Sequence, residues 1–367
     1  MHPSFGRRHY VPLLKGQSGE YKALGGLALH DQQGLTPFID VPPIAELDGR
    51  ALTPGQHYRA QFEKLEKYWG ARGPVFVDSR LVQPGRRMGE GGHPASVLFE
   101  LAERAGVGVI PATGLRREDA YQQAVRNAVG RLGTGVCLRI EDADLTDQLA
   151  ARVDALLERL GVPVRDADLV LDYRGVPQEL ARSLAAAAGV AIHALPHLDR
   201  WRTFTLASGG FPKSLGELGR GSEFRVQRSD WKLWQAVSRS LPAAVRRPAF
   251  GDYGIAHPDL EDADPRLMNV PVALRYTTAT EFLVLKRGTF RKGGGAAFQA
   301  LCQELVRLPD YVGDAFSRGD EYIARTARAE TKGGNPEAWR QAGTSHHLTL
   351  AVIQVRDDPG GATPGVP

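Results

Sequence analysis

Short runs of apolar residues recur along the first 255 positions of the chain. They read as continuous apolar stretches rather than as apolar and polar residues in alternation, which is typical of strands buried on both faces. The runs that predict strands are His9–Leu14, Pro37–Val41, Pro74–Asp78, Val107–Pro111, Gly135–Ile140, Asp168–Asp172, Thr203–Ala207 and Pro248–Ile255.

The segments between these runs carry apolar residues at helical spacing. Leu149, Val153, Leu156 and Leu160 give one apolar face, and Gly161 follows as a stop. Further helices are predicted at 58–69, 94–105, 116–131, 177–188 and 231–240. Eight strand–helix alternations in about 300 residues predict an α/β fold, a TIM-barrel-like (β/α)8 parallel barrel with a C-terminal elaboration. An open, doubly wound sheet stays as the alternative, because periodicity does not show closure.

The last third of the chain has a different pattern. Val272–Tyr276 and Glu281–Leu285 predict a β-hairpin, Gly288–Gly295 a glycine-rich loop, and Ala296–Arg307 a helix. A polar segment at 313–339 and an apolar strand at Leu348–Val355 follow. We therefore divide the chain into a barrel core at 1–255, a last barrel unit with a C-terminal hairpin and helix elaboration at 256–355, and a disordered tail at 356–367.

Composition narrows the class of protein. The 367 residues include 46 basic and 42 acidic side chains, so the net charge is only +4, and nucleic-acid binding is not indicated. Two cysteines are too few for a disulfide scaffold or a four-thiolate metal site. Since no stretch approaches the roughly 20 apolar residues of a membrane span, we expect a cytoplasmic protein without membrane contact.

Charged residues stand where several predicted strands end. In a parallel barrel, functional groups gather at these strand ends and in the loops that follow them. The residues at such positions are Lys15, Asp40, Asp78, Arg80, Arg139, Glu141, Asp172, Asp252 and Tyr253. A ring of this kind can bind phosphate or a divalent metal, or perform acid–base chemistry. The alternative for Asp78 is a surface ion pair with Arg80, and for Asp172 a helix cap.

Two adjacent histidines, His346 and His347, precede the predicted final strand. Alternation along a strand sends the two rings to opposite faces, so both do not easily bind one metal. No zinc motif accompanies them. Either one ring acts as a general acid or base, or the two form a packed pair at the start of the strand.

Three groups of motifs together resemble the phage-type Beta protein family. The opening reads Tyr10-Val-Pro-Leu-Leu-Lys15-Gly-x-x-Gly-Glu20, and the middle reads Gly251-Asp252-Tyr253-Gly254 followed by Arg275-Tyr276 and Arg287-Gly288. The close reads Gly319-Asp320, Gly334-Asn335-Pro336, Trp339-Arg340 and His346-His347. One departure is Phe38-Ile39-Asp40, where the family pattern ends the second strand in Pro-x-Ile-Glu. The resemblance spans residues 9–355 and implies a phage, prophage or mobile-island setting, but no reaction.

Two hypotheses of function follow. In the first, the chain is a component of a phage–host conflict system, in anti-phage defence or toxin neutralisation. It acts through a protein partner, such as a neighbouring gene's product, and residues 313–340 form the contact surface.

In the second hypothesis, the chain is a metal-dependent phosphodiester or nucleotide hydrolase with its site at the C-terminal mouth of the barrel. Asp78, Glu141, Asp172 and Asp252 would bind Mg²⁺ or Mn²⁺, Lys15 and Arg275 would hold the phosphate or nucleotide ligand, and a histidine would shuttle protons. No other cofactor is indicated. The candidate catalytic residues are Lys15, Asp78, Asp172, Asp252, Tyr253, Arg275, His346 and His347.

Overall fold

The structure is a computed structural model that describes residues 5–359 except 45, 48–49, 84, 90, 220, 260–270 and 290–293. Its strands are β1 (Tyr10–Leu14), β2 (Phe38–Asp40), β3 (Glu46–Leu47), β4 (Arg50–Ala51), β5 (Val75–Asp78), β6 (Val109–Thr113), β7 (Val136–Glu141), β8 (Ala167–Gly175), β9 (Thr203–Gly209), β10 (Glu223–Gln227), β11 (Ala249–Asp252), β12 (Pro271–Thr277) and β13 (Glu281–Thr289). Its α-helices are α1 (Ser18–Gly25), α2 (Leu29–Gln32), α3 (Pro54–Tyr68), α4 (Ala95–Ala105), α5 (Asp119–Leu132), α6 (Leu149–Leu160), α7 (Ala181–Ala194), α8 (Ser229–Ser240), α9 (Gly294–Leu305), α10 (Arg318–Ala327) and α11 (Pro336–Asp357).

Eight parallel strands close into a barrel in the order β1-β11-β9-β8-β7-β6-β5-β2. All eight correspond to the apolar runs of the sequence. The open-sheet alternative is wrong, because β1 pairs with both β2 and β11 and leaves no edge. The predicted (β/α)8 barrel is therefore confirmed.

Side chains alternate across the barrel wall, as the period-two geometry of a strand requires. One buried cluster fills the barrel and includes Val11, Phe38, Phe76, Val170 and Tyr253. Their strand neighbours belong to a second, larger cluster between the barrel and its helices. The alternation decides which polar residues at the strand ends face the barrel axis and which face the helical layer.

The surrounding helices begin and end at the residues that local chemistry favours. Thr53 caps α3 by accepting a hydrogen bond from the backbone N–H of Gln56, and Pro54 takes the first helical position. Gly106, Gly133 and Gly161 follow α4, α5 and α6 in the left-handed conformation. No helix in the described part of the chain has the length and apolar character needed to cross a membrane.

The C-terminal elaboration has a sheet and a core of its own. The predicted hairpin is present as β12 and β13, and β10, which the sequence did not predict, pairs with β13 to give the order β10-β13-β12. Helices α9 and α10 pack on this sheet through a cluster that includes Leu274, Leu285, Phe298 and Ile323. The predicted glycine-rich loop lies partly, and the predicted tail mostly, outside the described residues.

The predicted strand at Leu348–Val355 is wrong: these residues form the second half of α11. Asn335 caps this helix through the N–H of Ala338, and Pro336 follows at the first helical position. Leu348, Ala351, Val352 and Val355, which are spaced as on one face of a helix, join the large cluster outside the barrel. The beginning of α11 instead packs in the C-terminal core through Trp339 and Ala342. One helix thus joins both cores.

Candidate functional site

The inward-facing residues at the C-terminal end of the barrel form a charged cluster, which we call the mouth cluster: Asp40, Asp78, Arg139, Asp172 and Tyr253. Strand pairing sets Asp40 opposite Asp78 and Glu141 opposite Asp172. All five members of the cluster are buried. Two predicted acids, Asp78 and Asp172, are therefore brought together with the predicted Tyr253.

Arg139 is the centre of the mouth cluster. Its Nε and Nη2 donate to Oδ2 of Asp172 at 2.9 and 2.7 Å, and its Nη1 donates to Oδ1 of Asp40 at 2.7 Å. Nη1 also reaches Oδ2 of Asp78 at 3.3 Å, and Nη2 donates to the hydroxyl of Tyr253 at 2.6 Å. The guanidinium carbon lies 5.1 Å from the ring centre of Phe38. A single buried cation thus contacts three carboxylates.

The surrounding arginines keep Asp40 ionised. Burial alone would raise the pKa of Asp40, but Arg139, Arg80 and Arg117 outweigh it and hold this pKa below its usual value. Arg117 also donates to Oδ2 of Asp78 at 2.7 Å, so a second arginine contacts the carboxylates of the mouth cluster. The pKa of Tyr253 is well above its usual value, chiefly because of burial, so its phenol remains a donor to Asp172.

The three strand-end aspartates predicted as catalytic share one local geometry. In each, Oδ1 accepts a hydrogen bond from the backbone N–H two residues further along the chain. The acceptor–donor pairs are Asp78 with Arg80 at 3.0 Å, Asp172 with Arg174 at 2.8 Å, and Asp252 with Gly254 at 2.9 Å. Arg174 and Gly254 have positive φ angles of 53° and 59°. These carboxylates therefore shape the turns that leave the barrel.

Lys15 and Asp259 lie at the rim of the mouth. The Nζ of Lys15 donates to the backbone carbonyl of Asp259 at 2.5 Å, while the Asp259 carboxylate pairs with Arg174. Lys15 is buried, and this burial lowers the pKa of its amine to about 8, although Glu20 and Asp40 act in the opposite direction. Glu20 is buried as well, which raises the pKa of its carboxyl. The predicted placement of Lys15 at the mouth is consistent with these contacts.

Asp252 faces the other way and belongs to a second polar cluster, the seam cluster, formed by Tyr10, Asp252, Thr277, Asp320, His346 and His347. Oδ1 of Asp252 accepts from the Tyr10 hydroxyl at 2.5 Å, and Oδ2 lies 2.8 Å from Nε2 of His347. Nδ1 of His347 lies 2.9 Å from the hydroxyl of Thr277. Burial lowers the pKa of His347. A neutral ring that donates to Asp252 and accepts from Thr277 satisfies both contacts.

His346 extends the seam cluster into the C-terminal elaboration. Its Nδ1 lies 2.9 Å from Oδ2 of Asp320, and its Nε2 lies 2.7 Å from the carbonyl of Thr277. Its ring stacks on Tyr276 with centres 3.8 Å apart. Both rings contact Thr277, but they pair with different carboxylates, Asp320 for His346 and Asp252 for His347, and they diverge around a helix rather than across a strand.

The predicted catalytic set is therefore divided. Asp78 and Asp172 lie inside the barrel wall, whereas Asp252 lies outside it. The predicted four-carboxylate metal arrangement is therefore not formed. The described residues contain no group of three or more histidine, cysteine or acidic side chains placed to hold a metal. Arg275 donates to the carbonyl of Ile255 at 2.7 Å and lies over Phe211, which places it in the elaboration's sheet and not among the mouth cluster.

Sequence reasoning left several central residues out of the candidate site. Arg139 and Asp40 were noted at strand ends but not selected, although an arginine inside the apolar run Gly135–Ile140 was a usable signal. Arg228 and Asp230, both fully buried, were not singled out. Arg228 lies 3.8 Å from Asp252 and 3.7 Å from Asp230, beside the seam cluster.

Comparison with known proteins assigns the chain to a family. The family model described as Beta protein matches residues 10–353. The chain belongs to this family. In the Beta protein chain, the three motif groups meet in space, since Tyr10 comes from the opening, Asp252 from the middle and His347 from the close. The seam cluster is therefore built from the segments that carry the resemblance.

No curated protein matches this Beta protein chain. Among solved structures, it is similar to the biosynthetic arginine decarboxylase SpeA from Campylobacter jejuni, with a TM-score of 0.40 and 10% sequence identity. The match covers 95% of this chain and 56% of the decarboxylase chain, so the Beta protein spans little more than half of that protein.

Proposed function

We propose that this Beta protein is a component of a phage–host conflict system that acts in the cytoplasm by binding a protein partner, with the barrel as a scaffold. The buried mouth supports a scaffold role. Asp78 and Asp172 each use one carboxylate oxygen for a turn and the other for Arg139. Carboxylates engaged in this way stabilise the barrel and are not free for metal binding.

The partner surface that we propose is a groove where α1 and α2 face α10, which we call the α10 groove. Two adjoining cavities of about 480 and 250 Å³ form it and share Gly26, Arg318 and Glu321 as lining residues. Both cavities are lined partly by residues of the 313–340 segment, where the sequence predicts the contact surface. Their walls carry charges of both signs, which suits the polar rim of a protein interface.

Exposed apolar side chains beside the α10 groove are the observation that carries this proposal. Leu29 is 78% exposed and follows Ala28, a lining residue, while Val312 is 52% exposed and precedes the lining residue Asp314 by two positions. Only Leu180 and Val190 are comparable among the described large apolar residues. Two of the four exposed apolar residues thus lie within two positions of residues that line one groove, and we take this exposed apolar surface as part of the interaction surface.

Binding to the product of the adjacent gene tests the proposal. We expect a complex by size-exclusion chromatography and calorimetry, and at least a tenfold loss of affinity for Leu29→Glu and for Val312→Glu. Val190→Glu is the matched control, because Val190 is 73% exposed on α7 and lines neither cavity. Equal affinities for the three variants, or no complex with the unchanged chain, would count against the groove.

The hydrolase hypothesis stays a prediction with less support. Its predicted metal ligands include Asp78 and Asp172, and Arg139 contacts both of these carboxylates. Turnover of bis(p-nitrophenyl) phosphate or of nucleotides by the purified chain with Mn²⁺ would favour it. We expect none above the rate of a buffer blank.

A further inference from the structure

Arg80 presents an unoccupied edge of its guanidinium group at the mouth. Its Nε and Nη2 are buried, and neither donates a hydrogen bond to any described residue. These two nitrogens form the edge that binds a carboxylate in a forked arrangement. The same edge of Arg202 holds Asp168, with Nε at 3.0 Å and Nη2 at 2.5 Å from the two oxygens. In Arg80 this edge lacks such an acceptor among the described residues.

Two unused acceptors face the same gap. Oδ2 of Asp40 lies 3.7 Å from Nη2 of Arg80, and Oε1 of Glu141 lies 4.0 Å from Nε. Neither oxygen accepts a hydrogen bond in the described part of the chain, and Asp40 is only 1% exposed. Both distances exceed the hydrogen-bond range, so the three groups attract one another without satisfying their hydrogen bonds.

The hydrogen bonds of Arg139 in the mouth cluster contrast with this arrangement. There, Arg139 makes hydrogen bonds to Asp40, Asp172 and Tyr253 at 2.6–2.9 Å. Leaving a buried polar group unsatisfied costs about 1–3 kcal/mol, more for a charged group. Arg80, Asp40 and Glu141 therefore retain hydrogen-bond donors and acceptors that a bound molecule could satisfy. The side chains of Arg80 and Glu141 are 13% and 26% exposed, so such a molecule can reach them from solvent.

We propose that the gap between Arg80, Asp40 and Glu141 is a binding site for a small zwitterion of the α-amino-acid class. The ligand carboxylate takes the Nε–Nη2 edge of Arg80, and its ammonium group donates to Asp40 and Glu141. An α-amino acid carries its ammonium and carboxylate groups on one carbon atom, so its two charges are close together, which suits a cation that lies 3.7–4.0 Å from two anions.

Charge distinguishes this ligand from a simple anion. A phosphate on Arg80 would lie beside the carboxylates of Asp40 and Glu141, and their repulsion opposes the attraction of Arg80 and of Arg174, whose Nη1 lies 3.6 Å from Oε1 of Glu141. Since the neighbouring arginines keep Asp40 ionised, this repulsion persists at neutral pH. A ligand ammonium group replaces the repulsion with two charge-assisted hydrogen bonds. The site is separate from the α10 groove, and the inference does not depend on partner binding.

The test uses the full chain and each of the twenty standard α-amino acids in turn, with thermal shift as a screen and calorimetry for confirmation. We expect at least one amino acid to bind with a stoichiometry of one. Arg80→Lys keeps the charge but loses the fork, and Glu141→Gln removes one negative charge, so each raises the dissociation constant tenfold or more. Arg87→Lys is the matched control, because Arg87 instead pairs with Glu118 at 2.7 Å.

The outcomes are distinct. Weaker binding in Arg80→Lys and Glu141→Gln, with Arg87→Lys unchanged and all melting temperatures equal, supports the site. Three results overturn it: no amino acid binds, inorganic phosphate binds in place of the amino acids, or Arg80→Lys binds as well as Arg87→Lys. Arg80 donates no side-chain hydrogen bond from these two atoms, so its lysine variant should fold.

Discussion

Asp252 and Tyr253 are consecutive residues whose side chains lie on opposite sides of the barrel wall. Tyr253 places its hydroxyl 2.6 Å from Nη2 of Arg139 inside the barrel. Asp252 places its carboxylate 2.5 Å from the Tyr10 hydroxyl and 2.8 Å from His347 outside it. One peptide unit therefore connects the mouth cluster to the seam cluster.

Replacing Arg139 should destabilise the barrel strongly. Arg139→Met leaves Asp40, Asp78 and Asp172 buried without their shared cation, and loss of one partner of a buried ion pair costs about 3–5 kcal/mol. Urea denaturation measures this loss. Arg159→Met is the control, because Arg159 pairs at 2.8 Å with Asp119, which is 89% exposed, and such surface pairs contribute about 0–1 kcal/mol. Equal midpoints for both variants would show that Arg139 does not hold the barrel.

Asp230 should make stability depend on pH. Burial is the main cause that raises its pKa to about 7, with Asp252 adding to the effect and Arg228 opposing it. The unfolded chain releases this proton near pH 4, so between about pH 4 and 7 the folded state holds more protons. The contribution of Asp230 to stability is therefore complete below pH 4 and is lost as the pH rises through 7.

Asp230→Asn tests this dependence. Between pH 5 and 7, the free energy of unfolding should fall less steeply in the variant, by up to about 1.4 kcal/mol per pH unit. Urea titrations at several pH values supply the slopes. Asp119→Asn, at an exposed position, should keep the slope of the unchanged chain. Parallel slopes for Asp230→Asn and the unchanged chain would mean that Asp230 is ionised throughout this range.

Tyr10 and Asp252 should be energetically coupled. Tyr10→Phe removes the donor of a buried 2.5 Å hydrogen bond, and Asp252→Asn weakens its acceptor. A double-mutant cycle on the free energy of unfolding should give a coupling of about 0.5–3 kcal/mol. The same cycle with Tyr10→Phe and Asp119→Asn should be additive within about 0.5 kcal/mol. Additivity in both cycles would refute the coupling.

Replacement by alanine should change the thermal stability of the protein in opposite directions at two helical glycines. A Cβ on Gly319 of α10 would lie 2.1 Å from the carbonyl oxygen of Ala342 on α11, so Gly319→Ala must push the helices apart. A Cβ on Gly130 of α5 would meet nothing within 4 Å, so Gly130→Ala should stabilise by about 0.5–1 kcal/mol. Thermal unfolding compares them, and a higher melting temperature for Gly319→Ala would contradict the close helix contact.

The barrel could be predicted from sequence because each buried parallel strand leaves a short continuous apolar run. The second half of helix α11 could not be predicted in that way, since β-branched residues such as Thr349, Val352 and Val355 favour a strand locally. The correct signal was the spacing of Leu348, Ala351, Val352 and Val355, which matches one face of a helix. Tertiary packing against two cores outweighs the local preference.

The candidate site was only partly predictable for a similar reason. Lys15, Asp78, Asp172 and Tyr253 could be predicted to lie at the mouth because each stands at the end of a predicted strand. Alternation applied to Asp252 and Tyr253 would have separated them, because neighbouring strand residues face opposite sides. The contacts of Asp252 with Tyr10 and His347 join residues 242 and 95 positions apart. No local pattern in the sequence reports contacts of that range.

The position of α11 has a consequence for how the chain folds during synthesis. Strand β1 emerges from the ribosome long before α11, but Tyr10 on that strand packs in a cluster that also contains Leu348, Ala351 and Val355 of α11. The outer layer beside β1 therefore stays incomplete until α11 has been translated. A nascent chain must carry this uncovered apolar surface throughout elongation, so chaperones that shield such surfaces have a long interval in which to act.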